Sequence, residues 1–216
     1  MHTHHRHYDL PLVGSVVLVL VLSLATPVHA GAPTNTLKQS VDQVVKILSD
    51  PALRDKPEAR HDQVRNVAES IFDYPDTARR ALGPHWNGRT PEQQQEFVKL
   101  FADILDRAYV SKIDLYQGER VQYTGETIDG SEATVKTMIA AKQGSDIPVD
   151  YRMHLKSGRW AVYDVIIEGV SLVSNYRTQF NKIIQTESYD ALVQRLRAKE
   201  ATAEPAASPA RKRGER

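Results

Sequence analysis

The sequence predicts an α+β domain: helices first, then a four-stranded antiparallel curved sheet with helices packed on one face. Three observations predict it. Apolar residues recur at helical spacing as far as Gly118, the period then shortens to two residues between regularly placed turn dipeptides, and helical spacing returns after Gly169.

Leu37, Val41, Val44, Val45 and Leu48 mark a first helix, which Asp50-Pro51 ends. Val64, Val67, Ala68, Ile71 and Phe72 then form one apolar stripe opposite Arg65, Asn66, Glu69 and Ser70, and this helix closes before Pro75. A short helical piece from Pro75 to Leu82 stops at Gly83-Pro84. The longest helix is the best signposted, with Thr90 as N-cap, Pro91 at the first helical position and Gln93 completing a capping box. Phe97, Val98, Phe101, Ile104, Leu105 and Ala108 give it a wide buried face with Tyr109 beside it, running towards Tyr116 and a stop at Gly118.

Asp129-Gly130, Gly144-Ser145 and Ser157-Gly158 are turns between four antiparallel strands. The third alternates most cleanly: Ile147, Val149, Tyr151, Met153 and Leu155 on one face, Asp150, Arg152, His154 and Lys156 on the other. The fourth, Trp160 to Ile167, is apolar on both faces except at Asp164, which places it centrally or beneath a helix. Ser171 then caps a helix carrying Leu172, Val173, Tyr176, Phe180, Ile183 and Ile184, and a last short helix carries Leu192, Val193 and Leu196.

The flanks differ in composition from this core. Leu10 to Ala25 is strongly apolar, follows a start containing Arg6, and leads to the small-x-small run Val28-His29-Ala30. Interrupted by Pro11 and Gly14, it falls short of the roughly 20 apolar residues of a spanning helix, so residues 1–30 read as a cleaved signal peptide and residues 31–198 as an exported domain. Residues 199–216 are rich in Ala and Pro and end in Arg211-Lys212-Arg213, the composition of a disordered basic tail.

Composition also excludes chemistry. With 28 Lys+Arg against 27 Asp+Glu, the chain has no field suited to binding nucleic acid, and none is expected as a partner. The absence of cysteine excludes disulfides, thiolate nucleophiles, Cys-ligated metals and a lipid-anchored N-terminus. His61, His85 and His154 lack histidine neighbours at metal-ligand spacing, no Gly-rich phosphate loop occurs, and Glu168-Gly169-Val170-Ser171-Leu172 lacks the second glycine of a nucleophile elbow. No metal, cofactor or catalytic residue is expected. Asp164 is the odd residue, a carboxylate within an apolar strand. A structural ion pair or hydrogen bond, to an Arg of the 77–80 segment, is the plainer reading, and a base for isomerase-like proton abstraction is the alternative.

Several runs together carry a resemblance: Phe72-Asp73-Tyr74, Ala81-Leu82-Gly83, Tyr109-Val110-Ser111-Lys112, Ile147-Pro148-Val149-Asp150-Tyr151-Arg152 and, most specifically, Trp160 to Val173 with its Tyr-Asp-x-x-x-Glu-Gly-Val-Ser pattern. Over residues 36–197 the chain closely resembles the MlaC-type, or toluene-tolerance, family of periplasmic phospholipid-binding proteins. The resemblance implies a monomeric soluble carrier with a bound phospholipid as its ligand. It would move lipid between an outer-membrane lipoprotein complex and an inner-membrane MCE-protein/ABC-transporter complex, maintaining outer-membrane lipid asymmetry without covalent chemistry. Hopanoid-associated relatives share the domain, so another lipid such as a hopanoid is the alternative cargo. A lipid cavity between sheet and helices is expected, with walls drawn from Ile104, Leu105, Tyr109, Met138, Val149, Tyr151, Met153, Val165, Ile167, Val173, Tyr176 and Phe180.

Overall fold

The computed structural model describes residues 32–110, 116–140 and 145–198. The expected signal peptide and basic tail lie outside these residues, as does the 111–115 stretch through which the long helix is expected to continue.

Three helices open the described chain: α1 (Ala32–Leu48), α2 (Pro57–Ile71) and α3 (Tyr74–Leu82), with a 3-10 turn, Pro51–Leu53, between the first two. Asp50 caps that turn through Ala52 N–H, and Asp73 caps α3 through Asp76 N–H, so the Asp-Pro and Asp-x-Pro signals act as helix punctuation. Gly83 ends α3 at φ +60°, with Arg177 packed against the position a Cβ would fill. The capping box at Thr90 and Gln93 forms as expected and opens α4 (Pro91–Tyr109).

The sheet follows as β1 (Arg120–Asp129), β2 (Glu132–Ala140), β3 (Ile147–Lys156) and β4 (Arg159–Ile167), an antiparallel meander. A fifth strand, the two-residue β5 (Val170–Ser171), pairs with Ile166 and Ile167, so the sheet has five strands where four are expected. Glu168 at φ +50° and Gly169 at φ +82° turn the chain back on itself for this pairing. Phe72 makes a parallel bridge to Val162 beside it, and Asp73 N–H donates to the Val162 carbonyl. The segment before α3 thereby covers the edge of β4 that β5 is too short to reach, and β4 is buried along most of its length. Ser171 caps α5 (Leu172–Thr186) by accepting from Ser174 N–H, and α6 (Tyr189–Arg197) ends the description.

Two hydrophobic cores result. One is wholly helical: α3, α4, α5 and α6 enclose Phe97, Phe101, Tyr176, Phe180, Leu192 and their neighbours. Phe101 meets Tyr176 at 4.9 Å and Phe180 at 5.4 Å between ring centroids, both edge to face. The other lies on the concave face of the sheet, where Val135, Val149, Met153, Trp160, Val162 and Val165 pack against Leu37 of α1, Ile71 of α2 and Leu172 of α5. Helices therefore do not simply cover one face of the sheet. α1, the end of α2 and the start of α5 do so, while the other helices bury their aromatic stripes against one another.

Candidate functional site

Side chains are buried over the middle of the concave face, and the face is more open towards the end where β3 begins and β4 finishes. Ala133, Val135, Val149, Met153, Trp160 and Val162 are buried, whereas Tyr123, Ile139, Ile147, Tyr151 and Ile167, on the same face, are only half-buried. Strand register explains the shared face: Tyr123 stands opposite Thr137, Thr137 opposite Val149, Tyr151 opposite Val165, and Val149 opposite Ile167. Val41 of α1 and Tyr109, at the end of α4, are also half-buried against this cluster.

Two polar groups on this face are answered within the fold. Thr137 is almost wholly buried, and its hydroxyl donates to the Val149 carbonyl at 2.7 Å. Glu126 stands opposite Val135, and its carboxylate accepts from the Thr34 N–H at 2.8 Å and the Thr34 hydroxyl at 2.5 Å, in the first turn of α1. That contact fixes where α1 crosses the sheet. Tyr151 differs: it is half-buried, and its hydroxyl makes no hydrogen bond among the described residues. Burial pushes its hydroxyl up to about 12, and burial, with Tyr151 and Asp42 nearby, pushes Tyr123 to about 12 as well.

The expected wall residues divide between the two cores. Tyr109, Val149, Tyr151, Met153, Val165 and Ile167 belong to the concave face. Ile104, Leu105, Tyr176 and Phe180 belong to the helical core, and Val173 is buried in the first turn of α5. Met138 stands on the face of β2 opposite to Val135, Thr137 and Ile139, beside Gln122 and Pro148. Tyr123, Ile139, Ile147 and Val41 join the open end without having been expected there. The period-two pattern of β1, in which Val121 and Tyr123 are half-buried between exposed neighbours, is the signal that points to Tyr123.

Asp164, 3% exposed, is held by structure. Its carboxylate accepts from the Ser171 hydroxyl at 2.7 Å, the Val173 N–H at 3.1 Å and Arg152 Nη1 at 3.3 Å. Its cation is thus Arg152, its cross-strand neighbour, and not an arginine of the 77–80 segment. Arg79 and Arg80 are bound instead to Asp76, within reach on the same helical turn, and Arg80 also lies over the Tyr163 ring at 3.8 Å.

The outer face is polar. A surface hollow of about 350 Å³ is lined there by Thr127, Asp129, Glu132, Thr134, Arg152 and Tyr163, with Ala133 at its base. Asp73 binds Lys156 at 2.6 Å and His154 at 3.1 Å on the same side of the sheet. Among the described residues, no cluster of His, Cys, Asp and Glu could hold a metal, and no helix is long and apolar enough to cross a membrane.

The sequence model of the family described as MlaC protein matches residues 38–198. The chain belongs to the MlaC family. Within it, the chain is 21% identical over 187 residues to the intermembrane phospholipid transport system binding protein MlaC of Haemophilus influenzae, covering 83% of this chain and 87% of that protein. It is 23% identical to the toluene tolerance protein ttg2D of Pseudomonas putida, over 82% and 84% of the two chains. The MlaC-family fold is also that of a phospholipid-binding protein from Ralstonia solanacearum, solved in complex with a phospholipid. That structure is 29% identical, with a TM-score of 0.71, and is matched over 80% of this chain and 98% of its own.

Proposed function

We propose that this MlaC-family chain is a periplasmic phospholipid carrier that does no covalent chemistry. In this reading it takes lipid from an outer-membrane lipoprotein complex and passes it to an inner-membrane MCE-protein/ABC-transporter complex, or the reverse, and acyl chains lie under the open end of the concave face. The observation that carries it is the contrast along that face: buried side chains over its middle, and half-buried apolar side chains together with Tyr151 towards the end where β3 begins. The phospholipid found in the Ralstonia solanacearum relative supports the same cargo.

The energetics require a carrier of this kind. A two-chain phospholipid has about 30 methylenes, and at roughly 0.8 kcal/mol each their exposure to water costs on the order of 24 kcal/mol. A cavity about as apolar as a bilayer removes that barrier while leaving the net transfer close to neutral, so the membrane complexes can set direction. Asp164 offers no rival chemistry, because both its oxygens are engaged by Ser171, Val173 and Arg152. Native mass spectrometry of protein purified without detergent is expected to show lipid at about one per chain. Protein that is empty, and that extracts nothing from vesicles, would refute the reading.

A further inference from the structure

The open end of the concave face carries two phenol groups without protein partners. The Tyr123 hydroxyl is buried and makes no hydrogen bond. Tyr151, half-buried, makes none among the described residues either. The two share one face: Tyr123 is opposite Thr137, Thr137 is opposite Val149, and Tyr151 follows Val149 by two residues. Their charges would feel one another across that gap, which places the hydroxyls in one neighbourhood.

A buried tyrosine hydroxyl ordinarily finds a partner, because leaving it unpaired forfeits its interaction with water without replacement. The protein groups nearby are already committed. Thr137 gives its hydroxyl proton to the Val149 carbonyl, Glu126 is taken by Thr34, and Asp42, the acid nearest Tyr123, is paired with Lys38 at 2.7 Å. The missing partner must enter with the cargo. Hydrocarbon tails carry no acceptor, and the only polar atoms bonded directly to the tails of a diacyl lipid are its ester oxygens. Both phenols keep their protons far above neutral pH, so both are donors, and an ester carbonyl is the acceptor that fits.

Resting on the carrier reading above, we propose that Tyr123 and Tyr151 donate hydrogen bonds to an ester carbonyl of the bound lipid, making the site selective for acyl-ester over alkyl-ether chains. The full secreted chain is incubated with vesicles containing equal amounts of diacyl and dialkyl phosphatidylcholine of matched chain length, re-isolated, and its bound lipid quantified by mass spectrometry. The wild type is expected to be enriched in the diacyl lipid about three- to tenfold, the range that one or two modest hydrogen bonds supply. The Y123F/Y151F double variant should load the same total lipid at a ratio near one. If the double variant fails to fold, Y151F alone, which removes no hydrogen bond among the described residues, must at least halve the enrichment. Equal loading of the two lipids by the wild type, or enrichment that survives the substitutions, overturns the inference and leaves the carrier reading standing. Loading of neither lipid overturns both.

Discussion

The Asp164 carboxylate accepts from the Ser171 hydroxyl at 2.7 Å, tying the middle of β4 to the residue that caps α5. With the Val173 N–H on the other oxygen, one buried side chain sets the angle at which the helical core leaves the sheet. Asp164→Ala leaves the Ser171 hydroxyl and the buried Val173 N–H without their acceptor and is expected to lower stability by about 2–3 kcal/mol. Arg152→Ala should cost less than about 1 kcal/mol, since the Arg152 side chain is 44% exposed and its pairing is screened. Urea unfolding of both variants measures the difference, and equal losses would show that the ion pair, not the cap, is what matters.

Bulk at the open end should separate binding from folding. Val149 and Val165 are 5% and 8% exposed in the packed half, so Trp at either is expected to overpack the core and destabilise it by about 1–3 kcal/mol. Ile167 lies where the same face opens. Ile167→Trp should abolish lipid extraction from vesicles while shifting the unfolding midpoint little. A variant that loses its fold before its lipid would place Ile167 in filled core.

Acid should loosen the join between α3 and the sheet. Burial pushes Asp73 up, but Lys156, the Asp76 N–H and His154 outweigh it; at Asp76 burial is outweighed by Arg80 and Arg79. Both carboxyls thus end below their ordinary value of 3.8. A carboxyl depressed in the folded state binds fewer protons there than in the unfolded chain, so its stabilisation is complete above that ordinary value and is lost as pH falls below it. Unfolding midpoints should hold steady from pH 7 to about 5 and drop towards pH 3. Asp73→Asn should be less stable at pH 7 and show a flatter acid limb.

Gly83 gives a local test of backbone strain. Its φ of +60° is in the left-handed region, and Arg177 Cδ stands 3.4 Å from where a Cβ would be. Gly83→Ala is expected to cost about 1–2 kcal/mol in thermal or urea unfolding. Arg177→Ala in the same background should recover only the steric part, leaving the cost of the conformation.

Helix starts were legible at Thr90 with Gln93 and at Ser171, which cap as expected, whereas the side-chain caps at Asp73 and Ser188 lie in runs whose periodicity does not single them out. β5 was not legible, because two residues carry no periodicity and their pairing depends on a turn built from Glu168 and Gly169. The division of the apolar residues between two cores was also hidden. Phe101 and Tyr109 lie eight residues apart on one stripe of α4, yet Phe101 packs in the helical core and Tyr109 against the sheet. Periodicity reveals that a side chain is buried, not what it is buried against. Met138 stands outside the inward register for a related reason: that register of β2 contains Thr137, a polar residue made at home by its bond to the Val149 carbonyl, so the apolar Met138 looks like the inward one.

The separation of the two cores bears on how much room the cargo can claim. α1 roofs the concave face with the end of α2 and the start of α5, held in place by Leu37 and by the grip of Glu126 on Thr34, while the aromatic cluster of α3 to α6 sits elsewhere. In the carrier reading, a bulkier passenger would be accommodated by displacing α1 and α2, which pack together, about the pinned N-terminal end of α1. The interlocked rings of the neighbouring bundle need not shift, and the rest of the molecule serves as a fixed chassis.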